Sequence, residues 1–276
     1  MKRQLLIGES GGSKTDWALI ENNEVLWRIT TMSLHPTSWN SENFDKVFRK
    51  LKENDLLFSN ANLLFFGAGC NNPEKANELK NKIVGYRFGN IEIHGDLKAA
   101  GIACLGQGSG KLAILGSGSV LIDFQDGEVK HFFGGLGREK GDEGAGFYFG
   151  KLVLMALQNK EIEPTQESIV KSVLSKTEQS AIERGLISDE LCLVIASRLG
   201  NYLFEFQNFH LENIDLFYSK WVNQNISKGE TIHFVGSYAY FHKEIIKSYF
   251  IEKGCKVGLF VARPIEKLIE FYKINS

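Results

Sequence analysis

The chain has 276 residues, of which 43% are hydrophobic and 24% are charged, and its formal net charge is -1. This composition is typical of a folded globular protein rather than a disordered or fibrous one, and the length predicts two domains. The near-neutral charge provides no large basic field, so a nucleic acid partner is not expected. Only a short apolar stretch precedes Glu9, which predicts a cytoplasmic protein without a membrane partner.

Strands and helices alternate through the first half of the chain. In chain order, the predicted elements are strands 4–8, 16–21 and 25–30, a helix 41–53 capped by Ser41, strand 62–66, helix 73–83, strand 90–94 and helix 96–105. The polar turn Asn22-Asn23 joins the second and third strands in a hairpin. Apolar strands that alternate with helices in this way predict an α/β fold.

The second half of the chain repeats this plan. Residues 112–132, LAILGSGSVLIDFQDGEVKHF, resemble residues 5–29, LLIGESGGSKTDWALIENNEVLWRI, because in both a strand enters a Gly/Ser turn and two further strands follow. The similarity indicates an internal duplication, and a chance likeness of two hairpins is the alternative. Beyond it, the predicted elements are helix 143–158, a mainly helical stretch 164–226, strand 231–235, helix 239–253, strand 256–260 and helix 264–272.

Two α/β lobes are therefore expected. The N-terminal lobe spans residues 1–105 and is joined by the C-terminal helix 262–276. The C-terminal lobe spans residues 106–261 and includes a mainly helical insertion at 160–228. No flexible linker separates the lobes, which predicts a ligand cleft between them.

The segment Gly8–Asp16, GESGGSKTD, fits three different mechanisms. It satisfies GxSxG, the nucleophile elbow of α/β-hydrolases, with Ser10 as the nucleophile, and it is one residue away from a Walker A loop. Both motifs require a following helix, whereas the residues after Asp16 predict a strand. A Gly/Ser hairpin whose backbone N–H groups bind phosphate oxygens fits this context, and a plain hairpin turn is the remaining alternative.

Three further features carry residues suited to phosphate transfer. The hairpin Gly116–Ser119 is a second candidate phosphate-binding turn. Asp96 follows strand 90–94 at the start of a helix, where it either caps the helix or accepts a proton from a bound hydroxyl. The run Gly134–Gly146 is dense in glycine, which indicates a loop folded closely over a ligand, with a helix cap as the alternative role of Asp142.

In their order along the chain, these motifs resemble those of the BadF/BadG/BcrA/BcrD ATPase family, and within it the N-acetylglucosamine kinase-like proteins of the actin/hexokinase/heat-shock chaperone superfamily. The matching segments are ESGGSKTDW (9–17), GAGC (67–70), GSGS (116–119), GGLGREKGDEGAG (134–146) and VGS (235–237). The resemblance spans nearly the whole chain. It implies two ribonuclease H-like, actin-like ATPase lobes with a nucleotide cleft between them. It also implies an ATP-dependent kinase of amino sugar metabolism that phosphorylates a hydroxyl of N-acetylglucosamine or N-acetylmuramic acid.

The resemblance assigns roles to individual residues. Asp96 is the implied catalytic base, and Glu9 is the implied ligand of Mg²⁺ through water. The implied ATP phosphate-binding residues are Gly11, Gly12, Ser13, Lys14, Gly116, Ser117, Gly118 and Ser119. Those implied to contact adenosine are Gly236 and Ser237, and those implied to contact the sugar are His35, Gly135 and Asp142. ATP and Mg²⁺ are thus the expected cofactors, the amino sugar and ATP are the expected small-molecule partners, and a homodimer is compatible with the resemblance.

Two positions depart from the family pattern. Glu9 stands where the first phosphate motif usually begins with Asp, and Ser33–Thr37 reads SLHPT where relatives commonly carry Asn before Pro or His. The first departure leaves a second function open, namely a noncatalytic or weakly active nucleotide-dependent sensor or activator. The version that activates dehydratases through an iron–sulfur cluster is disfavoured, because the four cysteines are not suitably grouped.

Overall fold

Two five-stranded sheets form the framework of the protein. The computed structural model describes residues 4–12, 14–36, 39–53 and 61–274. The first sheet contains β1 (Gln4–Ser10), β2 (Lys14–Glu21), β3 (Glu24–Met32), β4 (Ala61–Gly67) and β5 (Ile91–Gly95). The second contains β6 (Gly110–Leu115), β7 (Ser119–Gln125), β8 (Glu128–Gly134), β9 (Thr231–Val235) and β10 (Lys256–Val261).

The two sheets have the same strand order. The first reads β3-β2-β1-β4-β5, and the second, taken in the corresponding direction, reads β8-β7-β6-β9-β10. In each sheet the first strand of the hairpin region pairs in parallel with a later strand, β1 with β4 and β6 with β9. This shared order supports the internal duplication that the two hairpins predict.

Helices occupy the connections between the strands. They are α1 (Ser41–Lys52), α2 (Pro73–Ile83), α3 (Asp96–Leu105), α4 (Gly146–Asn159), α5 (Pro164–Val173), α6 (Lys176–Glu183), α7 (Asp189–Arg198), α8 (Gln207–Phe217), α9 (Ser237–Phe241), α10 (Lys243–Glu252) and α11 (Pro264–Ile274). Within the described ranges, none of the helices combines the length and the apolar character needed to cross a membrane.

The chain forms two compact units. The first consists of Met1–Ser109, Phe124–Val129 and Arg263–Ser276, and the second of Gly110–Asp123 and Lys130–Ala262. Residues 106–109 and 124–129, which the sequence analysis assigned to the second lobe, thus group with the first unit. Residues 124–129 group with the first unit because Phe124 packs on α3. A Cβ atom on Gly101 of α3 would come 2.2 Å from the Phe124 ring.

Helix α1 shows how local sequence builds the core of the first unit. Its apolar residues at helical spacing are all buried: Phe44, Val47, Phe48 and Leu51. Phe48 packs against Trp17 of β2 with ring centroids 6.3 Å apart. The helix is capped by Asn40 and not by Ser41 as predicted, because Ser41 is already helical and the Asn40 side chain accepts a backbone N–H of the first turn.

The second unit contains the helical stretch predicted for 164–226. Helices α5 to α8 and a π-helix at Tyr218–Val222 occupy it. Within this stretch α7 ends at Arg198, with Leu199 as its C-cap residue. The predicted helix 239–253 is divided into α9 and α10, because His242 between them leaves helical geometry with φ -105° and ψ 22°.

Candidate functional site

Acidic residues converge at one edge of the first sheet. The parallel strands β1, β4 and β5 end together there, with Ser10 aligned with Gly67, and Gly67 aligned with Gly95. Glu9 precedes Ser10 in β1, and Asp96 is the first residue of α3, directly after Gly95. Ligands of α/β proteins bind at the carboxyl ends of the strands, so both acids lie where a site is expected.

Asp16 lies opposite Glu9 on the antiparallel strand β2, and Arg263 neutralises it. The guanidinium binds the carboxylate through two nitrogens, with Nη2–Oδ1 at 2.6 Å and Nε–Oδ2 at 3.0 Å. Thr30 donates a further hydrogen bond to Oδ1 at 2.7 Å, and Lys14 Nζ lies 3.8 Å from Oδ2. Because Asp16 is buried, this paired contact fixes its orientation. Sequence reasoning missed Arg263, which lies 247 residues away from Asp16 and follows no recognisable motif.

Glu9 is half-buried beside this pair. Burial, together with the negative charges of Asp16 and Asp96, raises the pKa of Glu9 to about 7, against the opposing charges of Arg263 and Lys14. Among the described residues, no group of three or more His, Cys, Asp and Glu side chains could hold a metal ion. Mg²⁺, however, is commonly held by one or two carboxylates while phosphate oxygens and water complete its shell. Glu9 beside Asp16 fits that donor set.

Asp96 is held by a side chain that sequence reasoning did not identify. Asn71 Nδ2 donates to Asp96 Oδ1 at 2.8 Å. Gly95 makes this contact possible, because a Cβ atom there would lie 1.7 Å from Asn71 Oδ1. Burial raises the pKa of Asp96 above its ordinary value, and the hydrogen bonds from Asn71 and from the backbone of Leu97 oppose that rise. Asp96 is therefore an oriented carboxylate whose basicity is increased by its surroundings.

Ser10 is part of a buried hydrogen-bond network. Its hydroxyl oxygen accepts the Thr15 hydroxyl at 2.9 Å and the Leu34 N–H at 3.1 Å. Ser10 is fully buried. A nucleophile elbow presents its serine openly above the sheet and is followed by a helix, whereas β2 follows here. The hydrolase interpretation therefore finds no support at Ser10.

His35 follows a segment that is fastened to the first hairpin. The Ser33 hydroxyl donates to the Gly11 carbonyl at 2.6 Å. A Cβ atom on Gly69 would lie 2.7 Å from Pro36 Cγ, so the segment that carries His35 also packs against the turn that follows β4. The structure thus brings His35, a predicted sugar-binding residue, to the same edge as the predicted base.

The first glycine hairpin leaves open space at its turn. The Gly11 N–H donates to the Lys14 carbonyl at 3.1 Å, which closes the turn between β1 and β2. A Cβ atom on Gly11 or on Gly12 would meet no atom within 4 Å, so a ligand can approach this backbone closely. The Lys14 side chain is exposed nearby. Ser13, which was assigned to the same site, lies outside the described residues.

The second hairpin, Gly116–Ser119, has a similar opening and a carboxylate that fixes it. A Cβ atom on Gly116 would also meet no atom within 4 Å. Asp142 Oδ1 accepts the Ser119 N–H at 2.9 Å and would lie 2.9 Å from a Cβ atom on Gly118. Asp142 therefore orders the hairpin and does not cap α4, whose N-cap residue is Ala145. Burial raises the pKa of Asp142 above its ordinary value.

The glycine-rich loop 134–146 folds back on the second hairpin. The Gly135 N–H donates to the Ser119 carbonyl at 3.0 Å, and the Gly146 N–H donates to the Gly116 carbonyl at 2.9 Å. Gly144 has a left-handed backbone with φ 86°, so α4 begins at Gly146 and not at 143 as predicted. The loop thus brings two of the predicted sugar-binding residues, Gly135 and Asp142, against the predicted phosphate-binding turn.

Several buried polar atoms around this loop have no hydrogen-bond partner among the described residues. They are Ser119 Oγ, Glu143 Oε2 and Trp221 Nε1. Lys220 of the π-helix binds the other oxygen of Glu143, with Nζ–Oε1 at 2.7 Å. Buried polar groups are normally paired, so atoms such as these are expected to meet a polar ligand. Sequence reasoning did not identify Lys220 or Trp221, because no motif marks their helix.

A pocket of about 440 Å³ lies beside the second hairpin within the second unit. Its wall includes residues of the hairpin, of the start of α9 and of the junction between α9 and α10: Gly116, Ser117, Ser237, Tyr238 and His242. Gly236 allows this approach, because its φ is 110° and a Cβ atom there would lie 2.7 Å from the Leu115 carbonyl oxygen. The volume suits a small organic ligand. The structure therefore places the predicted adenosine-binding residues next to one predicted phosphate-binding turn.

Comparison with solved structures reveals close relatives of the fold. The "putative N-acetylglucosamine kinase" of Porphyromonas gingivalis is 26% identical, with 98% of this chain and 99% of that chain covered and a TM-score of 0.87. The protein of the same description from Chromobacterium violaceum is 16% identical, with 98% of both chains covered and a TM-score of 0.77. A ROK family glucokinase from Streptomyces griseus, solved with glucose and AMPPNP, is 13% identical, with 98% of both chains covered and a TM-score of 0.59. No protein-family model and no curated protein sequence matches the chain.

These likenesses identify the fold as the two-lobed α/β fold of the actin-like ATPase sugar kinases. The predicted fold class is thereby confirmed, while the nucleotide cleft stays a prediction. The likeness to the Porphyromonas gingivalis protein, described as a "putative N-acetylglucosamine kinase", supports a kinase, whereas the other two likenesses bear on the fold alone. Membership of the BadF/BadG/BcrA/BcrD family stays a prediction, as do the roles of the individual site residues.

Proposed function

We propose that this protein is an ATP-dependent kinase that phosphorylates a hydroxyl of an amino sugar, with N-acetylglucosamine and N-acetylmuramic acid as the candidates. The observation that carries the proposal is the position of Asp96, an oriented carboxylate at the carboxyl edge of the first sheet. The likeness to the Porphyromonas gingivalis protein supports the class of sugar. The ordered motifs support assignment to the BadF/BadG/BcrA/BcrD family, and a cytoplasmic location agrees with the use of ATP.

The first unit supplies the base in this proposal. Asp96 accepts the proton of the sugar hydroxyl, and its raised pKa makes it a stronger base than an ordinary aspartate. Asn71 keeps the carboxylate in one orientation, and His35 contacts the sugar. Glu9 would hold Mg²⁺ through water, and the metal would neutralise phosphate charge. The backbone of Gly11 and Gly12 binds phosphate oxygens together with Ser13 and Lys14. MgATP supplies the phosphoryl group that is transferred.

The second unit supplies nucleotide and sugar contacts. The N–H groups of Gly116–Ser119 bind phosphate oxygens, because an open glycine turn lets an anion approach backbone donors. Gly236 and Ser237 contact adenosine in the pocket of about 440 Å³. Gly135 and Asp142 contact the sugar from the glycine-rich loop.

The test is release of ADP from MgATP in the presence of a panel of amino sugars and plain hexoses. We expect turnover that depends on an amino sugar and is lost in Asp96→Asn. Turnover with plain hexoses alone would overturn the assigned class of sugar. ATP binding without turnover on any sugar would overturn the kinase.

One observation favours a second candidate, a nucleotide-dependent sensor or activator with little or no catalysis. Arg263 already occupies the carboxylate of Asp16, and Glu9 replaces the shorter aspartate of the family motif. Arg263 reduces the free negative charge that Mg²⁺ requires, and the longer side chain of Glu9 displaces its carboxylate from the position that an aspartate would give it. A protein of this second kind would bind ATP and change conformation without sugar-dependent ADP release, and Glu9→Asp would be expected to restore turnover if the longer side chain is the cause.

A further inference from the structure

Asn213 links the glycine-rich loop to the pocket wall through three hydrogen bonds. It is fully buried on α8. Its Oδ1 accepts the Gly144 N–H at 2.7 Å, and its Nδ2 donates to the Ala145 carbonyl at 3.0 Å and to the Tyr238 hydroxyl oxygen at 3.1 Å. Because the backbone N–H of Gly144 can only donate, it must face the oxygen of the Asn213 amide, and this fixes the orientation of the amide. One side chain thus contacts two consecutive residues of the loop and one residue of the pocket wall.

Tyr238 continues the network into the pocket. It follows Ser237 at the start of α9 and is among the residues that line the pocket. Its hydroxyl oxygen lies 2.8 Å from His210 Nδ1. Burial lowers the pKa of His210 to about 2, so the ring is neutral and its Nδ1 accepts a hydrogen bond from the Tyr238 hydroxyl. The Tyr238 hydroxyl therefore has one donor and one acceptor role, both satisfied by buried partners.

Rigid packing surrounds these hydrogen bonds. His210 stacks on Phe149 of α4 with ring centroids 4.0 Å apart and an interplanar angle of 2°. The left-handed Gly144 is packed so closely that a Cβ atom would lie 2.7 Å from Phe217 Cβ. Close packing of this kind transmits a displacement of one group to its neighbours. A shift of Tyr238 on ligand binding therefore reaches the loop through Asn213.

The loop in turn controls a carboxylate. Gly144 lies two residues after Asp142 in the chain, and Ala145 lies three residues after it. The Asp142 carboxylate accepts the Ser119 N–H of the second hairpin. The Ala145 N–H also donates to the Asp142 carbonyl at 3.1 Å. Any force on the peptide at 144–145 is thus applied next to Asp142.

We propose that Tyr238 and Asn213 are positioning residues that couple nucleotide binding in the pocket to the ordering of the loop that carries Asp142. The inference rests on the proposed function for the identity of the ligand in the pocket. Neither residue is assigned a role by the motifs of the sequence. Occupation of the pocket by a nucleotide restrains Tyr238 further, and Asn213 carries that restraint to Gly144 and Ala145, so that the existing hydrogen bond between the Ser119 N–H and Asp142 opens less often when nucleotide is bound.

The test measures hydrogen exchange of the amides at 142–147 in the whole protein, with and without saturating ADP. In the wild type, ADP is expected to slow exchange by about fivefold or more, the lower end of typical couplings between sites. Tyr238→Phe removes only the hydroxyl, and at ADP concentrations that saturate this variant it is expected to lose most of this protection. Tyr249→Phe is the matched control, since it removes another buried tyrosine hydroxyl of the same unit, bonded to Asp215.

The outcomes separate this inference from the proposed function. Equal ADP-dependent protection in the wild type and in Tyr238→Phe overturns the coupling and leaves nucleotide binding intact. Absence of ADP binding in the wild type overturns both. A merely structural role would weaken protection equally with and without ADP, so the ratio of the two exchange rates would stay unchanged and the proposal would fail.

A second variant tests the route of the coupling. Asn213→Ala removes the bonds to Gly144 and Ala145 as well as the bond to Tyr238. If both residues act in one path, the double variant Tyr238→Phe/Asn213→Ala loses no more ADP-dependent protection than Asn213→Ala alone. Additive losses would overturn the shared path.

Discussion

The turn edges of the two sheets share a strand order and differ in chemistry. At the first edge, three carboxylates lie together: Glu9, Asp16 and Asp96. At the second edge, the hairpin Gly116–Ser119 offers open backbone, and the carboxylate beside it, Asp142, is already bound to a backbone N–H. A repeated topology therefore supplies two similar edges with open glycine turns that suit anion binding, and the carboxylates of the first edge suit it to proton transfer as well.

The largest expected effect tests the first edge alone. Asp96→Asn keeps the shape of the side chain and removes the base, so sugar-dependent kcat should fall by about 10²- to 10⁴-fold. Nucleotide affinity should stay near the wild-type value, because the second hairpin is unchanged. Steady-state ADP release and direct ADP binding measure the two quantities separately.

Glu92→Gln is the matched control for this substitution. Glu92 is an exposed carboxylate near the start of the same strand, β5, at the end opposite to the one that Asp96 follows. Its replacement should leave kcat unchanged. If Asp96→Asn and Glu92→Gln lowered kcat equally, the effect would be one of surface charge, and the contrast between the two edges would fail.

The second prediction compares glycines whose surroundings differ. Gly12→Ala and Gly116→Ala place a methyl group in open space, so the free energy of unfolding should change by less than about 0.5 kcal/mol. The same methyl group blocks close approach of a ligand, and nucleotide affinity should fall by roughly tenfold, or about 1.4 kcal/mol. Thermal unfolding and ADP titration measure the two effects.

Gly144→Ala should behave in the opposite way. Its φ of 86° and its contact with Phe217 strain any side chain, so we expect a loss of about 1–3 kcal/mol in unfolding free energy.

Unchanged ADP affinity in Gly12→Ala or in Gly116→Ala would show that the open backbone of that hairpin is a plain turn and not a phosphate-binding one.

The third prediction concerns pH and the second unit. Burial lowers the pKa of His242 to about 4 and, with the charge of His242, that of His210 to about 2, whereas the unfolded chain titrates near 6.5. Below about pH 6.5 the unfolded chain binds protons that the folded protein does not. Stability is therefore complete above that pH and is lost as the pH falls toward about 4, by roughly 1.4 kcal/mol per pH unit for each histidine.

Urea unfolding at about pH 7 and about pH 5 checks this expectation. His242→Phe should flatten the pH dependence, while His131→Gln, at an exposed position, should leave the slope unchanged. An unchanged slope in His242→Phe would show that the acid sensitivity lies outside the pocket region.

Short-range patterns predicted a large part of both edges. The hairpin turn Asn22-Asn23 has left-handed φ values of 51° and 63°, as such a turn requires, and α2 and α3 have the predicted bounds. Asp96 was placed correctly at the start of α3 because the strand, the glycine and the helix are contiguous in sequence. These features depend on neighbours within a few residues, and a single sequence contains that information.

Contacts between distant segments could not be predicted. The pairing of Arg263 with Asp16 depends on where the last helix packs, and the contact of Asn71 with Asp96 depends on the alignment of β4 with β5. Neither residue belongs to a motif with a fixed spacing. Tyr238 and Asn213 likewise meet only after α8 and α9 have packed together.

The smallest expected effect concerns Asn71 and tests how the first edge tunes its base. Its hydrogen bond favours the ionised form of Asp96, so Asn71→Ala should raise the pKa of Asp96 further. Activity requires the ionised carboxylate, and the acid limb of the kcat/KM profile should therefore move to higher pH. At neutral pH the loss should be about fivefold, as expected for a hydrogen bond worth about 1 kcal/mol.

Asn72→Ala is the control, because the side chain of the neighbouring Asn72 caps α2, where its Oδ1 accepts the Glu74 N–H at 2.8 Å. It should cost about 1 kcal/mol of stability and leave the acid limb in place. A shift of equal size in both variants would mean that the limb reports the stability of the strand end and not the ionisation of Asp96. A shift confined to Asn71→Ala would show that a neutral side chain sets the pKa of Asp96 at the first edge. At the second edge, a backbone N–H makes the corresponding hydrogen bond to Asp142.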